Sequence, residues 1–302
     1  MAETFWLNGK FVARDEARVS AFDAAVQHGV GLFETMIASE GRVFRVEKHL
    51  SRLAESAKRL GLSDSLRAPR LAEAVETVVE RSELASGEGR ARVRLTVTGG
   101  DLNLLSSTGR GAVDPTVFIA VTPATRYPPE MFERGVAAVI ADLRVNPLDP
   151  FAGHKTLNYW PRLHELQVAS SKGAAEAIFF QVTNHVAGGA VSNLFAVKNG
   201  EVSTPVARGE EARGAIASPV LPGVTRGFVI EEMERRRTQV RKRMLSIDDV
   251  LEADEVFLTN SSWGVLPIVK IESKEIGAGG GEPGELSREL RAAWVKAVEE
   301  EP

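Results

Sequence analysis

The chain has 302 residues, of which 43% are hydrophobic and 26% are charged, an ordinary balance for a folded globular protein. This length is enough to bury a large core and predicts two domains. The formal net charge of −4 argues against nucleic-acid binding, which usually accompanies a basic surface. The sequence has no cysteine, which excludes disulfides, thiolate metal sites and thiol nucleophiles.

The sequence shows no pattern typical of a membrane span, a signal peptide or a metal site. The apolar stretches are far shorter than a membrane span, and the segment Met1–Trp6 lacks the basic and apolar regions of a signal peptide. The five histidines are scattered without metal-ligand spacing. We therefore expect a cytoplasmic protein that binds neither membranes nor nucleic acid and holds no metal.

Local patterns in the first third predict alternating strands and helices. Asn8 and Gly9 separate two apolar runs, which is typical of a tight hairpin. Leucines and alanines at helical spacing precede Gly61, and apolar residues later alternate with arginines and threonines at strand spacing. The predicted elements are a hairpin over 5–12, helices over 46–60 and 69–84, and strands over 91–98 and 116–121.

A proline-rich stretch marks the predicted domain boundary. Three prolines occur among residues 122–129, which makes this connection stiff and irregular. We predict a first domain over 1–122, a linker over 123–129 and a second domain over 130–302. In the second domain the patterns predict strands over 136–140, 177–181, 194–197 and 256–258, a short helix opened by a capping box at Ser246, a glycine-rich loop over 277–284 and a last helix over 286–298.

Four short segments occur in a telling order. They are Gly-His-Lys-Thr-Leu-Asn-Tyr-Trp at 153–160, Val-Ser-Asn-Leu-Phe at 191–195, Leu-Pro-Gly-Val-Thr-Arg at 221–226 and Thr-Asn-Ser-Ser-Trp at 259–263. This order resembles the fold-type IV pyridoxal-phosphate enzymes, which include branched-chain aminotransferases, D-amino-acid aminotransferases and aminodeoxychorismate lyases. The resemblance runs from Leu7 to Pro267. It implies a mixed α/β fold with a small N-terminal domain, a larger C-terminal domain with a barrel-like sheet, and the cofactor between them.

The resemblance implies that Lys155 holds pyridoxal 5'-phosphate as a Schiff base. Gly223 allows close approach of the backbone, and the amides of Val224 and Thr225 at a helix N-terminus would form an anion site for the cofactor phosphate. An ordinary Pro-Gly turn is the alternative for this motif. Ser261 would supply a second phosphate contact.

Two further residues are assigned to the cofactor by the same resemblance. Arg52, in the pattern His-x-x-Arg-Leu, would bind the phosphate through its guanidinium, and the alternative is an arginine lying along its helix. Tyr159 would border the cofactor, or would simply pack in the core. If the stretch is helical, Tyr159 shares a face with Lys155.

Substrate contacts are implied at three places. Phe33 and His28 belong to a segment similar to the Gly-x-Gly-x-Phe-Glu-Thr segment of the family and would meet the substrate, although His28 alone equally suits a core or interface position. Arg94, or its neighbour Arg92, would pair with a substrate carboxylate or remain solvated. Ser262 and Trp263 would occupy the turn that faces the substrate carboxylate, unless this is only a hydroxyl-rich loop.

One residue that the family's chemistry normally uses is missing. In relatives a glutamate five residues before the asparagine of the Asn-Leu-Phe strand pairs with the pyridinium nitrogen, and here that position is Gly188. No acidic residue lies between Glu176 and Glu201, so a shift of register does not recover it. The protein could bind the cofactor yet catalyse poorly, use a carboxylate from elsewhere, or carry an altered site.

The resemblance implies amino-group transfer between an amino acid, branched-chain amino acids among the candidates, and a 2-oxo acid. The alternatives are a lyase of the aminodeoxychorismate type and a catalytically impaired homologue that binds pyridoxal phosphate. The loop 97–101 lacks the arginine and histidine of D-amino-acid aminotransferases, which disfavours that specificity. Relatives are homodimers with shared active sites, so a homodimer is expected.

Overall fold

The structure, a computed structural model, describes residues 4–82, 84, 89–101, 115–277 and 280–300. The chain forms two compact units. The first combines the chain up to Thr125 with His154–Asn158 and the residues from Ala297 onward, and the second comprises Arg126–Gly153 and Tyr159–Lys296. The linker expected over 123–129 stays a prediction.

The first unit contains a six-stranded antiparallel sheet with strand order β2-β1-β6-β5-β3-β4. Its strands are β1 (Thr4–Leu7), β2 (Lys10–Val12), β3 (Gly31–Ser39), β4 (Arg42–Val43), β5 (Arg90–Thr98) and β6 (Val117–Pro123). Its helices are α1 (Ala24–His28), α2 (Val46–Arg59) and α3 (Ala68–Ser82).

Local sequence explains most of these elements. Asn8 and Gly9 both have positive φ, at 45° and 91°, which the tight turn between β1 and β2 requires, so the predicted hairpin is confirmed. The apolar face of α2 buries Leu50, Leu53 and Ala57 in one core cluster with α3 and the sheet. The predicted helix over 46–60 therefore exists, and it ends at Arg59.

The alternation predicted in β5 is also confirmed. Val93, Leu95 and Val97 are fully buried in the core cluster. On the opposite face Arg92 is exposed and Arg94 is half-buried. Farther along the same face, Thr96 and Thr98 are buried, so that face is covered towards the end of the strand.

The second unit contains a nine-stranded mixed sheet with the order β12-β11-β10-β13-β14-β7-β8-β9, and β15 pairs with β14. Its strands are β7 (Val136–Val145), β8 (Glu176–Gln181), β9 (Val186–Gly189), β10 (Asn193–Lys198), β11 (Glu201–Thr204), β12 (Val240–Lys242), β13 (Glu255–Asn260), β14 (Gly264–Ile271) and β15 (Lys274–Glu275). Its helices are α4 (Glu130–Glu133), α5 (Trp160–Ser171), α6 (Val224–Arg235), α7 (Ile247–Leu251) and α8 (Glu285–Glu300). Of α8, the residues up to Lys296 belong to this unit.

The four strands predicted in this region all occur, each somewhat longer than its apolar run. The capping box that opens α7 is also confirmed, because Ser246 accepts a hydrogen bond from the Asp249 amide and the Asp249 carboxylate accepts one from the Ser246 amide. Part of the loop predicted over 277–284 lies outside the described residues.

The segment around Lys155 differs from the helical reading. Residues 155–158 form no helix, Thr156 makes an isolated antiparallel bridge with Leu32, and α5 begins only at Trp160. The condition for a shared helical face of Lys155 and Tyr159 is therefore not met. The reason is tertiary, because the backbone of this segment bonds to β3, which lies more than a hundred residues earlier in the chain.

Among the helices that the structure describes, none has both the length and the apolar character needed to cross a membrane.

Candidate active site

Lys155 lies in a short extended segment that pairs with the first residues of β3. Its carbonyl oxygen accepts a hydrogen bond from the Phe33 amide at 3.0 Å. Two residues later, the Leu157 amide donates to the Gly31 carbonyl at 2.9 Å. These bonds fix the backbone from the Lys155 carbonyl to the Leu157 amide. The side chain of Lys155 is half-buried.

The ring of Phe33 brings together two of the predicted cations. The Nζ of Lys155 lies 4.1 Å from the ring centroid, and the Cζ of Arg94 lies 3.8 Å from it. Both distances are within the range of cation–π attraction. Phe33 is buried on β3 and pairs in register with Thr96 on β5, two residues from Arg94. Three residues that the sequence assigned to the cofactor or substrate are thus neighbours.

Arg52 and His49 of α2 converge on a carboxylate that the sequence reading did not use. The Nε and Nη2 of Arg52 donate to the two oxygens of Glu34 at 2.8 and 2.6 Å. The Nδ1 of His49 lies 2.8 Å from Glu34 Oε2 and must carry the hydrogen if the carboxylate is ionised. This cluster joins α2 to β3.

The charges in this cluster determine its protonation. Burial alone would raise the pKa of Glu34, but Arg52 and His49 outweigh burial and lower it to about 2. Burial lowers the pKa of His49, Glu34 opposes this change, and the positive charges of Arg52 and Lys155 add to the lowering. Glu34 is therefore a carboxylate paired with a permanent cation.

His28 is the last residue of α1, and it is exposed. One alternative from the sequence, a histidine in the core, is therefore wrong, because α1 ends at Gly29 and leaves His28 on the surface. A substrate or interface role for His28 stays a prediction.

In the second unit, the predicted phosphate motif does enter a helix. Gly223 is the N-cap of α6, no side chain caps that end, and the first turn carries no acidic residue. The Thr225 side chain is buried, and its Oγ1 has no hydrogen-bond partner within the described residues. Free amides, the positive end of the helix and an unused hydroxyl together suit an anion.

Arg226, the last residue of the same motif, has a different role. Its guanidinium is buried and donates to both oxygens of Glu210 at 2.9 and 2.7 Å, and also to the Pro205 carbonyl. Burial alone would raise the pKa of Glu210, but the bonds from Arg226 and other donors lower it to about 2. Arg226 therefore anchors the first turn of α6.

The predicted substrate turn follows β13. Asn260 Oδ1 accepts hydrogen bonds from the amides of Ser262 and Trp263 at 2.9 and 3.0 Å. The Nε1 of the buried Trp263 has no partner in the part of the chain that the structure describes. Ser261 lies in the same turn, and its contact with a phosphate stays a prediction.

Gly188 lies at the end of β9, with the left-handed φ of +115°. A Cβ placed there would lie 2.8 Å from the Ser192 carbonyl oxygen. Tyr159, which precedes α5, donates a long hydrogen bond of 3.5 Å from its hydroxyl to the Ala190 carbonyl. Tyr159 is thus a neighbour of this turn, and its role towards the cofactor stays a prediction.

Comparison with known proteins gives the family. The model of the family described as "Amino-transferase class IV" matches residues 31–271. The chain belongs to this family. It is 29% identical to the branched-chain-amino-acid aminotransferase of Escherichia coli K12 over 287 residues, covering 92% of this chain and 88% of that protein.

Two further relatives show the range of the class IV aminotransferase family. The Bacillus subtilis aminodeoxychorismate lyase is 26% identical over 295 residues, covering 97% of this chain and 94% of the lyase. The solved structure of a T.th. branched-chain amino acid aminotransferase with pyridoxamine 5'-phosphate aligns with a TM-score of 0.86 and 26% identity, covering 99% of this chain and 94% of the other.

This chain is thus an enzyme of a family of aminotransferases and lyases, with the mixed α/β fold of the branched-chain aminotransferases. The family implies pyridoxal phosphate as cofactor. The residues present fit that group, since the chain has a half-buried lysine and an uncapped helix end at which the Thr225 hydroxyl has no partner among the described residues. A Cβ on Gly223 would collide with Asn193 Oδ1, so the close approach of backbone in this motif requires glycine.

Sequence reasoning missed three side chains that shape these segments: Glu34, Glu176 and Asn260. A glutamate inside the nine-residue apolar strand β3 was a usable signal, because such a carboxylate needs a buried partner. Glu176 gave no signal, since an acidic residue at the start of a strand is ordinarily exposed. No group of His, Asp and Glu suited to a metal ion occurs within the described ranges.

We predict that Glu34→Gln destabilises the protein by about 3 kcal/mol at pH 7, because it leaves the largely buried Arg52 guanidinium without its counter-charge. The measurement is urea unfolding from pH 7 down to pH 2. The pKa of Glu34 is lowered from 4.5 to about 2. The difference in free energy of unfolding between the wild type and Glu34→Gln should therefore be largest above pH 4.5 and should disappear as the pH falls towards 2.

The matched control is Glu299→Gln in the same unit. Glu299 is half exposed and pairs with Arg90, so its loss should cost less than about 1 kcal/mol. Equal urea midpoints for the two variants would contradict the role given to Glu34.

Proposed function

We propose that this protein catalyses amino-group transfer between an amino acid and a 2-oxo acid, with pyridoxal 5'-phosphate held covalently by Lys155. The observation that carries the proposal is the placement of Lys155. In a chain of the class IV aminotransferase family, this lysine lies with Arg94 against the ring of Phe33, on a backbone fixed to β3.

Several of the residues described above would hold the cofactor. The amides of Val224 and Thr225, the Thr225 hydroxyl and Ser261 would bind its phosphate, together with the guanidinium of Arg52. Because Glu34 fixes two nitrogens of Arg52, this guanidinium is oriented before any ligand arrives. Pyridoxal phosphate supplies an aldehyde that reacts with amines and a ring that withdraws electrons from the substrate Cα.

Lys155 would carry out the proton transfers. Once its amine is released by the incoming substrate, the unprotonated Nζ would take a proton from the substrate Cα and return it two atoms away, which is a 1,3-proton shift. Phe33 limits where Nζ can lie, because the ring is buried and its face attracts the cation. Tyr159 would border the cofactor beside the turn at Gly188.

The substrate carboxylate would be bound by cations and by turn residues. Arg94 is half-buried and oriented against Phe33, which suits recognition of a carboxylate. His28 and the turn of Ser262 and Trp263 would contribute the remaining contacts. Branched-chain amino acids are the first substrates to test, because relatives are named for them.

A lyase of the aminodeoxychorismate type is the second candidate. It is favoured by the 26% identity with the Bacillus subtilis lyase over 97% of this chain. Such a lyase would use Lys155 in the same way but would eliminate pyruvate from its substrate. Pyruvate release from aminodeoxychorismate, measured beside transamination, distinguishes the two reactions.

We predict that Lys155→Ala abolishes covalent binding of pyridoxal phosphate. The measurement is borohydride reduction of the reconstituted protein followed by peptide mass spectrometry, which should locate the adduct on Lys155. The control is Lys172→Ala, which removes an exposed lysine at the end of α5 and should keep the adduct. An adduct that persists in Lys155→Ala would refute the assignment.

We further propose that turnover is slow, because Gly188 stands where relatives have the carboxylate that pairs with the ring nitrogen. A buried pyridinium without a counter-charge tends to lose its proton, and the ring then withdraws electrons less strongly. We expect single-turnover rates with a panel of leucine, valine, alanine and glutamate to fall orders of magnitude below those of the Escherichia coli branched-chain enzyme. Equal rates would contradict this prediction.

We also propose a homodimer. The described residues include several large apolar side chains that are more than half exposed: Phe22, Val26, Leu148, Phe151, Trp160, Val182 and Ile216. Exposed apolar surface often marks a region that a partner chain covers. Light scattering should give the mass of two 32.7 kDa chains. We expect Trp160→Glu to weaken the dimer and Lys172→Glu to leave it intact, and a monomeric wild type would refute the proposal.

A further inference from the structure

Glu176 is a carboxylate that lies entirely inside the second unit. It begins β8 and is 0% exposed. Its Oε1 accepts hydrogen bonds from the amides of Ala177 and Ala190 at 3.0 and 3.1 Å. Its Oε2 accepts from the Ser192 hydroxyl at 2.9 Å and from the Val191 amide at 3.4 Å. Burial raises the pKa of Glu176, and the hydrogen bonds from these four donors oppose that rise because they favour a carboxylate that only accepts.

Three of these four donors belong to one turn, residues 188–192, which connects β9 to β10. The turn is closed by a hydrogen bond of 2.9 Å from the Gly189 amide to the Ser192 carbonyl. A Cβ on Gly189 would collide with Ser192 Oγ and would lie 2.8 Å from Glu176 Oε2. The turn is therefore folded tightly around the carboxylate, and it needs glycine at this position.

The outer side of the 188–192 turn contacts the elements that carry predicted site residues. Arg162 of α5 donates to the carbonyls of Gly189 and Ala190, both at 3.2 Å, next to the contact of Tyr159. On another side, Asn260 Nδ2 donates to the Val191 carbonyl at 3.4 Å. The same Asn260 side chain orders the amides of the substrate turn through its Oδ1.

The residue that follows the turn reaches the phosphate motif. Asn193 Nδ2 donates to the Leu221 carbonyl at 2.8 Å, and its Oδ1 lies against Gly223. Gly223 is the N-cap of α6, where the free amides and the Thr225 hydroxyl are found. A displacement of the turn would thus move the start of the helix that is to bind the phosphate.

We infer that Glu176 is a positioning residue, which acts through the 188–192 turn to hold both the phosphate motif at 221–226 and the substrate turn at 260–263. Its relevance to the cofactor rests on the function proposed above, whereas the positioning itself does not. Among the described residues, the hydrogen-bond partners of Glu176 include none of those assigned to the substrate, so its effect would be transmitted by the turn and by Asn193 and Asn260.

The same geometry has a consequence for the missing carboxylate. Gly188 belongs to the turn, has φ of +115° and faces the Ser192 carbonyl oxygen. An L side chain is strained at this φ and would also crowd that oxygen. A glutamate at 188 is therefore incompatible with the turn as Glu176 holds it, and a single substitution should not restore the family's usual arrangement.

Hydrogen exchange tests the positioning without any cofactor. We expect Glu176→Gln to raise the deuterium uptake of backbone amides in 221–226 and 260–263, because the amide NH2 of glutamine meets donors where the carboxylate accepted. Glu165→Gln is the control: Glu165 is also buried in this unit, but it accepts the Asp142 amide, far along the chain from both segments. Uptake in these two segments that is the same in both variants would overturn the inference.

Cofactor binding gives the second readout. At equal thermal stability, Glu176→Gln should weaken pyridoxal phosphate binding at least tenfold relative to Glu165→Gln and should weaken pyridoxal, which lacks the phosphate, much less. Thr225→Val provides the reference for direct loss of a phosphate contact. Equal affinities in Glu176→Gln and Glu165→Gln would overturn the link to the phosphate motif.

Two milder variants keep the test decisive if Glu176→Gln fails to fold. Ser192→Ala removes one of the four bonds and should raise exchange in the same segments by a smaller amount, and no rise would overturn the inference. Gly188→Ala should lower the melting temperature more than Gly173→Ala, since Gly173 has φ of +75° but no atom within 4 Å of a Cβ. Gly188→Glu with wild-type stability would overturn the exclusion of a carboxylate at 188.

The outcomes separate this inference from the proposed function. If the wild type binds no pyridoxal phosphate but exchange rises in Glu176→Gln, the proposed function fails and the positioning stands. If the wild type binds the cofactor and exchange is unchanged in Glu176→Gln, the positioning fails alone.

Discussion

A buried carboxylate has to be matched by opposite charge or by hydrogen-bond donors, and each unit of this protein contains a glutamate that shows how this is done. In the first unit Glu34 is matched by the charge of Arg52 and by His49, which fixes α2 against β3. In the second unit Glu176 is matched by backbone amides and a hydroxyl, which folds the 188–192 turn around it. The two solutions differ in their physical consequences. An ion pair fixes the orientation of a guanidinium, whereas a carboxylate enclosed by backbone amides and a hydroxyl fixes the course of the backbone itself.

Other contacts place the chemical groups of the proposed site. Arg94 reaches Phe33 across the paired strands β3 and β5, and Lys155 reaches it from the segment that is hydrogen-bonded to β3. The start of α6 keeps free amides because no side chain caps it, while the guanidinium of Arg226 is used by Glu210. At Gly188 the backbone has a left-handed conformation that suits glycine. Under the proposed function, the chain offers groups suited to binding the cofactor but has no carboxylate at position 188.

Sequence patterns predicted the elements whose determinants are local. The hairpin at Asn8 and Gly9, the amphipathic α2 and the capping box of Ser246 depend on neighbours only a few residues apart, so their positions were readable. The sequence left open whether 155–159 is helical, because the interaction that decides it, hydrogen bonding to β3, is non-local. The exposure of His28 could not be predicted for the same reason, since it depends on residues that are distant in the chain.

The sequence by itself determined the family, the order of the motifs and the absence of an acidic residue between Glu176 and Glu201, because these are properties of residue identity and spacing. Only the tertiary structure decided which groups these residues meet: that Arg52 is paired with Glu34, that Thr225 keeps an unused hydroxyl, and that Glu176 lies inside the turn at Gly188. The physical reason is that burial and hydrogen bonding are set by atoms distant in the chain. A glutamate at the start of a strand looks the same in the sequence whether its carboxylate is exposed to water or is hydrogen-bonded by buried amides and a hydroxyl.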